Sequence, residues 1–295
     1  MSATRIASLL PSATEIVYAL GLGDRLAAVT FECDEPTRAR QDHRVVVTGA
    51  DTRGWTPAEI DAYVRDRRAR GLDLYTLDEG ALADVDPDLV LTQDLCRVCA
   101  LPTDQVDEAL AHLGCRADVL TLDPSTLDDV LATVQQVADA AGVGERGQRV
   151  VDALRSRLAA VECRVAGRPR PRVAVVEWVD PLFTGGHWIP DQVRAAGGEP
   201  VGMHAGTASG PTAWATLRDQ RPEVVVVAPC GFGLDGAAEQ AAVARRELPD
   251  AQVWAIDGDA VVVRPGPRLV DGVEAMASIL HPDVVEASVH VRRLG

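Results

Sequence analysis

The hydrophobic pattern of the first third of the chain predicts strands that alternate with helices. Apolar runs typical of buried strands occur at Arg5–Leu10, Arg25–Phe31, Leu72–Leu77, Asp88–Thr92 and Ala117–Leu122. Helical spacing begins at Ser12 and again at Thr56, and both positions open a Ser/Thr-x-x-Glu capping box. Alternating strands and helices indicate a parallel sheet with both faces covered.

The pattern changes in the middle of the chain and then returns. Ser125 to Cys163 is helix-forming throughout, with an interruption at Gly142-Val143-Gly144. After Arg168-Pro169-Arg170-Pro171-Arg172 the alternation resumes, with strands predicted at Val173–Trp178, Glu223–Ala228 and Gln252–Ile256. We therefore predict an N-terminal α/β lobe at residues 1–124, a connecting helix region at 125–165 and a C-terminal α/β lobe at 166–295.

Charge and composition exclude several classes of partner. The chain has 295 residues and a formal net charge of −15, so it repels nucleic acid and anionic membrane surfaces. No apolar run approaches the ~18 residues that a membrane span needs, and the first residues lack a secretory signal's ~7–15 apolar residues. The sequence thus predicts no nucleic acid partner, no membrane insertion and a cytoplasmic location, where its six cysteines would be reduced or metal-bound.

Four of the six cysteines follow predicted strands. In parallel sheets the loops at the carboxyl ends of the strands line the ligand crevice. Cys96 and Cys99 form a C-x-x-C pair that suits one metal or cluster. If the two lobes face each other, the four thiols could converge on one iron–sulfur cluster or one zinc ion, with Cys33, Cys96, Cys99 and Cys230 as the predicted ligands. A C-x-x-C pair acting alone and simple core packing remain alternatives.

Aromatic residues are scarce, but five of them fall in the same predicted loops: Phe31, Trp178, Phe183, Trp188 and Phe232. Flat apolar side chains suit a bulky ring-shaped ligand, although packing at the sheet edge would also use them. His187 follows two glycines and could bind a metal, donate a hydrogen bond or have no role. With Glu32, these residues form the predicted ligand-binding set.

Several motifs resemble a known family in their order and spacing. They are Arg5–Ile16 with Gly21-Leu22-Gly23, Pro87–Thr92, Phe183–His187, Ala196-Gly197-Gly198 and Arg264-Pro265-Gly266-Pro267-Arg268. Together they resemble the cobalamin-binding, BtuF-like branch of the class III substrate-binding proteins of ABC transporters. The segment Asp94–Ala100, with its DLCxVCA pattern, resembles cytosolic, leaderless relatives.

The resemblance implies a fold and a ligand. Similar proteins have two Rossmann-like lobes with central parallel sheets, joined by a long backbone helix, and bind metal chelates in a cleft between the lobes. The expected cofactor is cobalamin or a related corrinoid, with the stretch Trp178–Trp188 lining one wall. Family members dock on a permease through one carboxylate per lobe. Glu79 is a candidate for the first, but Trp214-Ala215-Thr216 carries no acid, so permease docking is doubtful.

Two further functions stay open beside chelate binding. A cytoplasmic metalloenzyme would hold its iron–sulfur cluster or zinc on the four cysteines and move protons through acids in the same loops, namely Glu32, Asp34, Asp94 or Glu177. An exported receptor coupled to a permease is the other possibility. The sequence assigns no catalytic residue and leaves open whether the protein is an enzyme.

Overall fold

The computed structural model describes residues 4–52, 54–94, 106, 108, 110 and 116–294. The chain divides into two compact units. Unit 1 comprises Met1–Asp123 and Leu131–Val151, and unit 2 comprises Pro124–Val130 and Asp152–Gly295. Two helices, Leu127–Ala140 and Gly144–Val165, contribute residues to both units.

The described part of unit 1 is built on a six-stranded sheet in the order β4-β3-β2-β1-β5-β6. Its strands are β1 (Ile6–Ser8), β2 (Leu26–Thr30), β3 (Arg44–Gly49), β4 (Tyr75–Leu77), β5 (Leu89–Thr92) and β6 (Asp118–Thr121). Neighbouring strands are parallel except β4, which is antiparallel to β3. The helices that connect them span Pro11–Ala19, Ala39–Asp42, Pro57–Ala69 and Glu79–Val85.

The described part of unit 2 has a second sheet in the order β12-β11-β10-β7-β8, with β9 beside β7. Its strands are β7 (Arg172–Val179), β8 (Leu182–Thr184), β9 (Glu199–Pro200), β10 (Val224–Val227), β11 (Gln252–Ile256) and β12 (Val291–Arg293). The central strands β7, β10 and β11 are parallel, whereas β8 and β12 pair antiparallel at the two edges. Its helices span Ile189–Ala195, Trp214–Asp219, Leu234–Glu247, Gly258–Val261 and Leu269–Leu280.

The core of unit 2 forms around β10, whose four consecutive valines are all buried. The helix Leu234–Glu247 covers one face and presents Ala237, Ala241 and Ala244 to the core, each with no exposed surface. These alanines repeat at helical spacing, and their small side chains let the helix lie close to the β-branched strand. The strand and the helix are therefore complementary in shape.

The fold class predicted from the sequence is confirmed: the structure is α/β with two sheets of mostly parallel strands. The capping box at Thr56 is also confirmed, because Glu59 N donates to Thr56 Oγ1 (3.3 Å) and Thr56 N donates to Glu59 Oε2 (2.7 Å). The capping box predicted at Ser12 is wrong. The helix begins at Pro11 after Leu10, which makes no side-chain cap, and Ser12 is buried inside the first turn.

Several strands were not predicted, namely β3, β8, β9 and β12. Among the described residues, no helix combines the length and the apolarity that crossing a bilayer would require.

Candidate functional site

A buried polar network lies at the carboxyl ends of β1 and β2 in unit 1. Thr14 Oγ1 is 2.8 Å from Ser8 Oγ and 3.0 Å from Cys33 Sγ, and Thr30 Oγ1 is 3.4 Å from the same sulfur. All four side chains are at most 3% exposed. The network satisfies polar groups that would otherwise be costly to bury, and it places the Cys33 thiol inside unit 1.

Phe31 and Glu32, both half-buried, come directly after β2. The Phe31 ring lies 6.2 Å from the Tyr75 ring, and the Tyr75 hydroxyl donates to Glu32 Oε1 (3.5 Å). Gly49 allows this arrangement, since a Cβ there would lie 2.9 Å from the Phe31 ring and 3.2 Å from the Tyr75 ring. Tyr75 is a neighbour of the predicted residues that sequence reasoning missed, because Leu72–Leu77 looked like an ordinary strand.

An aromatic pair stands at the corresponding edge of unit 2. The rings of Trp178 and Phe232 are 5.8 Å apart and inclined at 56°, and both residues are half-buried. The indole Nε1 of Trp178 donates to Asp180 O (3.1 Å). Phe232 packs over Gly236, where a Cβ would lie 2.7 Å from the Phe232 ring. The structure thus brings together two residues that lie far apart in sequence.

The turn that carries Phe232 is held by Asp259. Gly231 adopts a left-handed conformation (φ +81°), and its N–H donates to Asp259 Oδ1 at 2.8 Å. Arg264, in the Arg-Pro-Gly-Pro-Arg motif, lies 3.7 Å from the Asp259 carboxylate. Cys230, on the same turn, is exposed. Asp259 was not identified as a candidate residue from the sequence, although the nearby Arg-Pro-Gly-Pro-Arg motif was noted.

The strand predicted at Val173–Trp178 is confirmed, with Trp178 the second-last residue of β7, whereas Phe183 was predicted to lie in a loop and that placement is wrong. Glu177 and Trp178 extend β7 past the end of its pairing with β10, and Phe183 lies in β8 opposite Trp178. The sequence did not indicate the antiparallel β7–β8 hairpin, because its turn contains Asp180-Pro181 and β8 is only three residues long.

His187 is fixed by its backbone and its ring. Its φ of 48° is left-handed, its N–H donates to Thr207 O (2.6 Å), and its ring stacks on Trp188 at 5.4 Å. Burial lowers the pKa of His187, which favours the neutral imidazole. Within the described residues, no partner reaches the buried Nδ1 atom. Trp188 is 5% exposed and donates from Nε1 to Val262 O (2.8 Å), so it supports the His187 ring from the interior.

The predicted metal ligands are not all described. Cys96 and Cys99 lie outside the described residues, Cys33 is buried in unit 1, and Cys230 is exposed in unit 2. Over residues 4–52, 54–94 and 116–294, no group of three or more His, Cys, Asp or Glu side chains is placed to hold a metal ion. The convergent thiolate site stays a prediction, as do the ligand-binding roles of Phe31, Glu32, Trp178, Phe183, His187, Trp188 and Phe232.

Comparison with known proteins places this geometry in a family. The profile of the family described as "Periplasmic binding protein" matches residues 6–249. The chain belongs to this family. The family assignment made from the sequence motifs is therefore confirmed, whereas the cytosolic, leaderless branch stays a prediction.

Relatives of this chain differ in the ligands that they are named for. It is 25% identical over 283 residues to the vitamin B12-binding protein of Vibrio cholerae, with 94% of this chain and 89% of that one covered. An uncharacterized ABC transporter substrate-binding lipoprotein of Bacillus subtilis is 23% identical over 295 residues, covering 95% and 80%. The fold is similar to that of a periplasmic heme-binding protein from Pseudomonas aeruginosa (TM-score 0.73, 19% identity, 99% and 98% covered).

Proposed function

We propose that this protein binds a bulky metal chelate, with a corrinoid of the cobalamin type as the first candidate. Family membership supports small-molecule chelate binding, and the Vibrio cholerae relative is named for vitamin B12. The ligand surface would comprise the strand ends of unit 2 around Trp178 and Phe232.

The observation that carries this proposal is the Trp178–Phe232 pair. Two half-buried rings at the carboxyl end of a parallel sheet offer an aromatic, apolar surface where ligands of such sheets bind. An aromatic contact surface of this kind suits a large macrocycle.

Titration with hydroxocobalamin, followed by visible absorbance and by retained cobalt after gel filtration, tests the proposal. We expect saturable binding that Trp178→Ala weakens about tenfold, because an aromatic contact contributes about 0.5–1.5 kcal/mol beyond its area. Trp254→Phe is the matched control, since Trp254 lies inside β11 under the Arg293 guanidinium and not at a strand end. Hemin titrated in parallel distinguishes a corrinoid from a porphyrin. Absence of binding by either compound at high micromolar concentration would refute the proposal.

A thiolate metal site is the second candidate, and exposed Cys230 at the end of β10 is the observation that favours it. Such a site would bind iron–sulfur or zinc and could support an enzyme. Anaerobic purification with iron, sulfide and zinc analysis tests it, and Cys230→Ser should lower the metal content. Metal-free protein in which the thiols are all alkylated would exclude this candidate.

We also propose a cytoplasmic location. Cys163 and Cys230 are exposed thiols outside any disulfide, which suits a reducing compartment. Cell fractionation with an antibody to the chain should find it in the soluble cytosolic fraction, and recovery from the envelope or the medium would contradict this location.

A further inference from the structure

Phe232 lies in the turn Pro229–Gly233, which follows β10 and which we call the Phe232 turn. Gly231, the residue before Phe232, has a left-handed φ of +81° that larger side chains adopt only with strain. Gly233, the residue after it, has an extended backbone. A glycine on each side leaves the backbone around Phe232 with little stiffness of its own. The position of the ring therefore depends on contacts that reach the turn from outside.

Hydrogen bonds from β7 and from Asp259 hold the Phe232 turn. Cys230 N donates to Glu177 O at 3.4 Å, near the upper limit for such a bond. Gly231 N donates to Asp259 Oδ1 at 2.8 Å, and Asp259 N donates in return to Phe232 O at 3.4 Å. The short bond has a carboxylate as its acceptor, and bonds of that kind are the strong ones. Asp259 thus holds Phe232 and the residue before it.

Asp259 itself has a fixed position. It lies in the short helix Gly258–Val261, which follows β11. Gln192 Nε2 donates to the carbonyl of the last residue of this helix (3.1 Å), and Trp188 Nε1 donates to the carbonyl of the next residue (2.8 Å). Both donors are at most 5% exposed. The helix is therefore anchored in the interior of unit 2, and Asp259 connects that anchor to the Phe232 turn.

The helix and the turn also touch backbone to backbone. A Cβ at Gly258 would lie 2.5 Å from Pro229 O, so only glycine fits between them. Arg264 lies 3.7 Å from the Asp259 carboxylate, and the two side chains are 15% and 26% exposed. The guanidinium offsets part of the cost of placing a charge at a site that is mostly buried. Close backbone contact and a partly buried charge indicate a carboxylate with little freedom to move.

We propose that Asp259 is a positioning residue for the aromatic pair: its carboxylate holds Phe232 against Trp178 before the ligand arrives. The rings of the pair are 5.8 Å apart, so a displaced turn would separate them. A ring that already occupies its bound position loses less conformational freedom on binding, which raises affinity without a contact between Asp259 and the ligand. The inference rests on the proposed function and adds to it the residue that fixes one of the two contact rings.

Fluorine NMR of the full chain labelled with 4-fluorophenylalanine tests the ring position without any ligand. The chain has three phenylalanines, Phe31, Phe183 and Phe232, and Phe→Leu variants assign their resonances. We expect Asp259→Ala to shift or broaden the Phe232 resonance and to leave that of Phe31, in unit 1, in place. Asp283→Ala is the matched control, since Asp283 is an acid of unit 2 that pairs with an arginine elsewhere. An unchanged Phe232 resonance in Asp259→Ala would overturn the proposal.

A double-mutant cycle, with hydroxocobalamin and hemin as the probes, separates positioning from general stability. We expect Asp259→Ala to weaken chelate binding about tenfold, as loss of a hydrogen bond to a charged group does. Asp259→Asn keeps an oxygen that accepts from Gly231 N and should weaken binding only about twofold. In the Phe232→Ala background, Asp259→Ala should weaken binding no further, because the ring that it positions is gone. Asp283→Ala should leave binding unchanged.

Each outcome of the cycle bears on the proposal. If Asp259→Ala weakens binding equally with and without Phe232, Asp259 acts on the ligand or on unit 2 as a whole and the proposal is wrong. If Asp259→Ala does not fold, Asp259→Glu replaces it in the cycle, because it keeps the charge and moves the carboxylate by one methylene group. If Trp178→Ala weakens binding but the Asp259 variants do not, only the positioning role fails. If neither chelate binds the wild type, the proposed function fails and the role in binding fails with it.

Discussion

His187 adopts a backbone conformation that few residues other than glycine and asparagine adopt, with φ at 48°. Burial lowers its pKa in the folded state, so the folded protein binds fewer protons at this ring than the unfolded chain does. The associated stability is present above the unfolded pKa, about 6.5, and is lost as the pH falls through the folded pKa.

His187→Asn should therefore change how stability depends on pH. Asparagine tolerates the left-handed backbone and does not titrate, so the variant isolates the ring. We expect the free energy of unfolding of the wild type, relative to the variant, to fall as the pH drops below about 6.5. Urea denaturation from pH 8 to pH 5 measures this difference. A difference that stays constant over that range would show that His187 is not desolvated.

Gly186 is enclosed by backbone on the side where a Cβ would stand. An added Cβ would lie 2.3 Å from Ser209 N and 2.6 Å from Thr207 O, atoms that cannot rotate away. We expect Gly186→Ala to lower the free energy of unfolding by about 1–3 kcal/mol, as overpacking does. Gly210→Ala in the facing loop meets nothing within 4 Å and should stay within about 0.5 kcal/mol of the wild type. If urea denaturation gave the same loss of unfolding free energy for both variants, the predicted clash at Gly186 would be disproved.

Individual site residues could be predicted only where a side chain suited to ligand binding stood near the end of a predicted strand. Trp178 and Phe232 stood near predicted strand ends, and the structure brings their rings together. Tyr75 and Asp259 gave no comparable signal. Tyr75 reaches Phe31 only through the pairing of β4 with β3, and Asp259 reaches Gly231 only because β10 and β11 are neighbours. Such contacts are properties of the sheet order, which local pattern does not encode.

At the scale of elements, two helix caps of similar chemistry should have different consequences. Thr56 caps the helix Pro57–Ala69, which has no buried residue. Asp78 caps the helix Glu79–Val85 by accepting from Ala81 N (2.9 Å), and that helix buries Ala81 and Leu82 in the core of unit 1. Loss of the first cap should remain local, whereas loss of the second should affect the whole of unit 1.

We expect Thr56→Ala to raise amide hydrogen exchange in residues 57–69 about fivefold, which corresponds to a cap of about 1 kcal/mol, with little change in global unfolding. Asp78→Ala should instead lower the free energy of global unfolding by about 1 kcal/mol. Hydrogen exchange by mass spectrometry and urea denaturation of both variants measure the contrast. A large global effect of Thr56→Ala would mean that the Pro57–Ala69 helix packs more firmly than its exposure indicates.

Elements were predictable from the sequence when their pattern was long or chemically marked. The four valines of β10 and the Thr56-Pro57-Ala58-Glu59 box both gave the correct element. The Ser12 box failed because Pro11 needs no N–H donor at the first helical position and starts the helix one residue earlier. Strand β8 has three residues beside a tight turn, too few for an alternating pattern to be visible.

At the scale of the whole molecule, the family and the α/β class followed from motifs spread along most of the chain, whereas the ligand did not. The similar structures include proteins named for heme and for vitamin B12 on one fold. A shared fold with different ligands means that specificity lies in the loops at the strand ends. The Trp178–Phe232 pair of unit 2 stands at such a strand end.

The net charge of −15, with 44 acidic and 29 basic side chains, should make the stability of the whole protein depend on salt. Long-range repulsion among the excess carboxylates opposes the compact state, and raising ionic strength from 0.01 M to 0.15 M shortens the Debye length from about 30 Å to about 8 Å. We expect Tm at pH 7 to rise by several degrees over this range of NaCl, measured by calorimetry. Sucrose of equal osmolarity controls for solvent exclusion. A falling Tm would mean that surface pairs such as Arg168–Asp283 outweigh the repulsion.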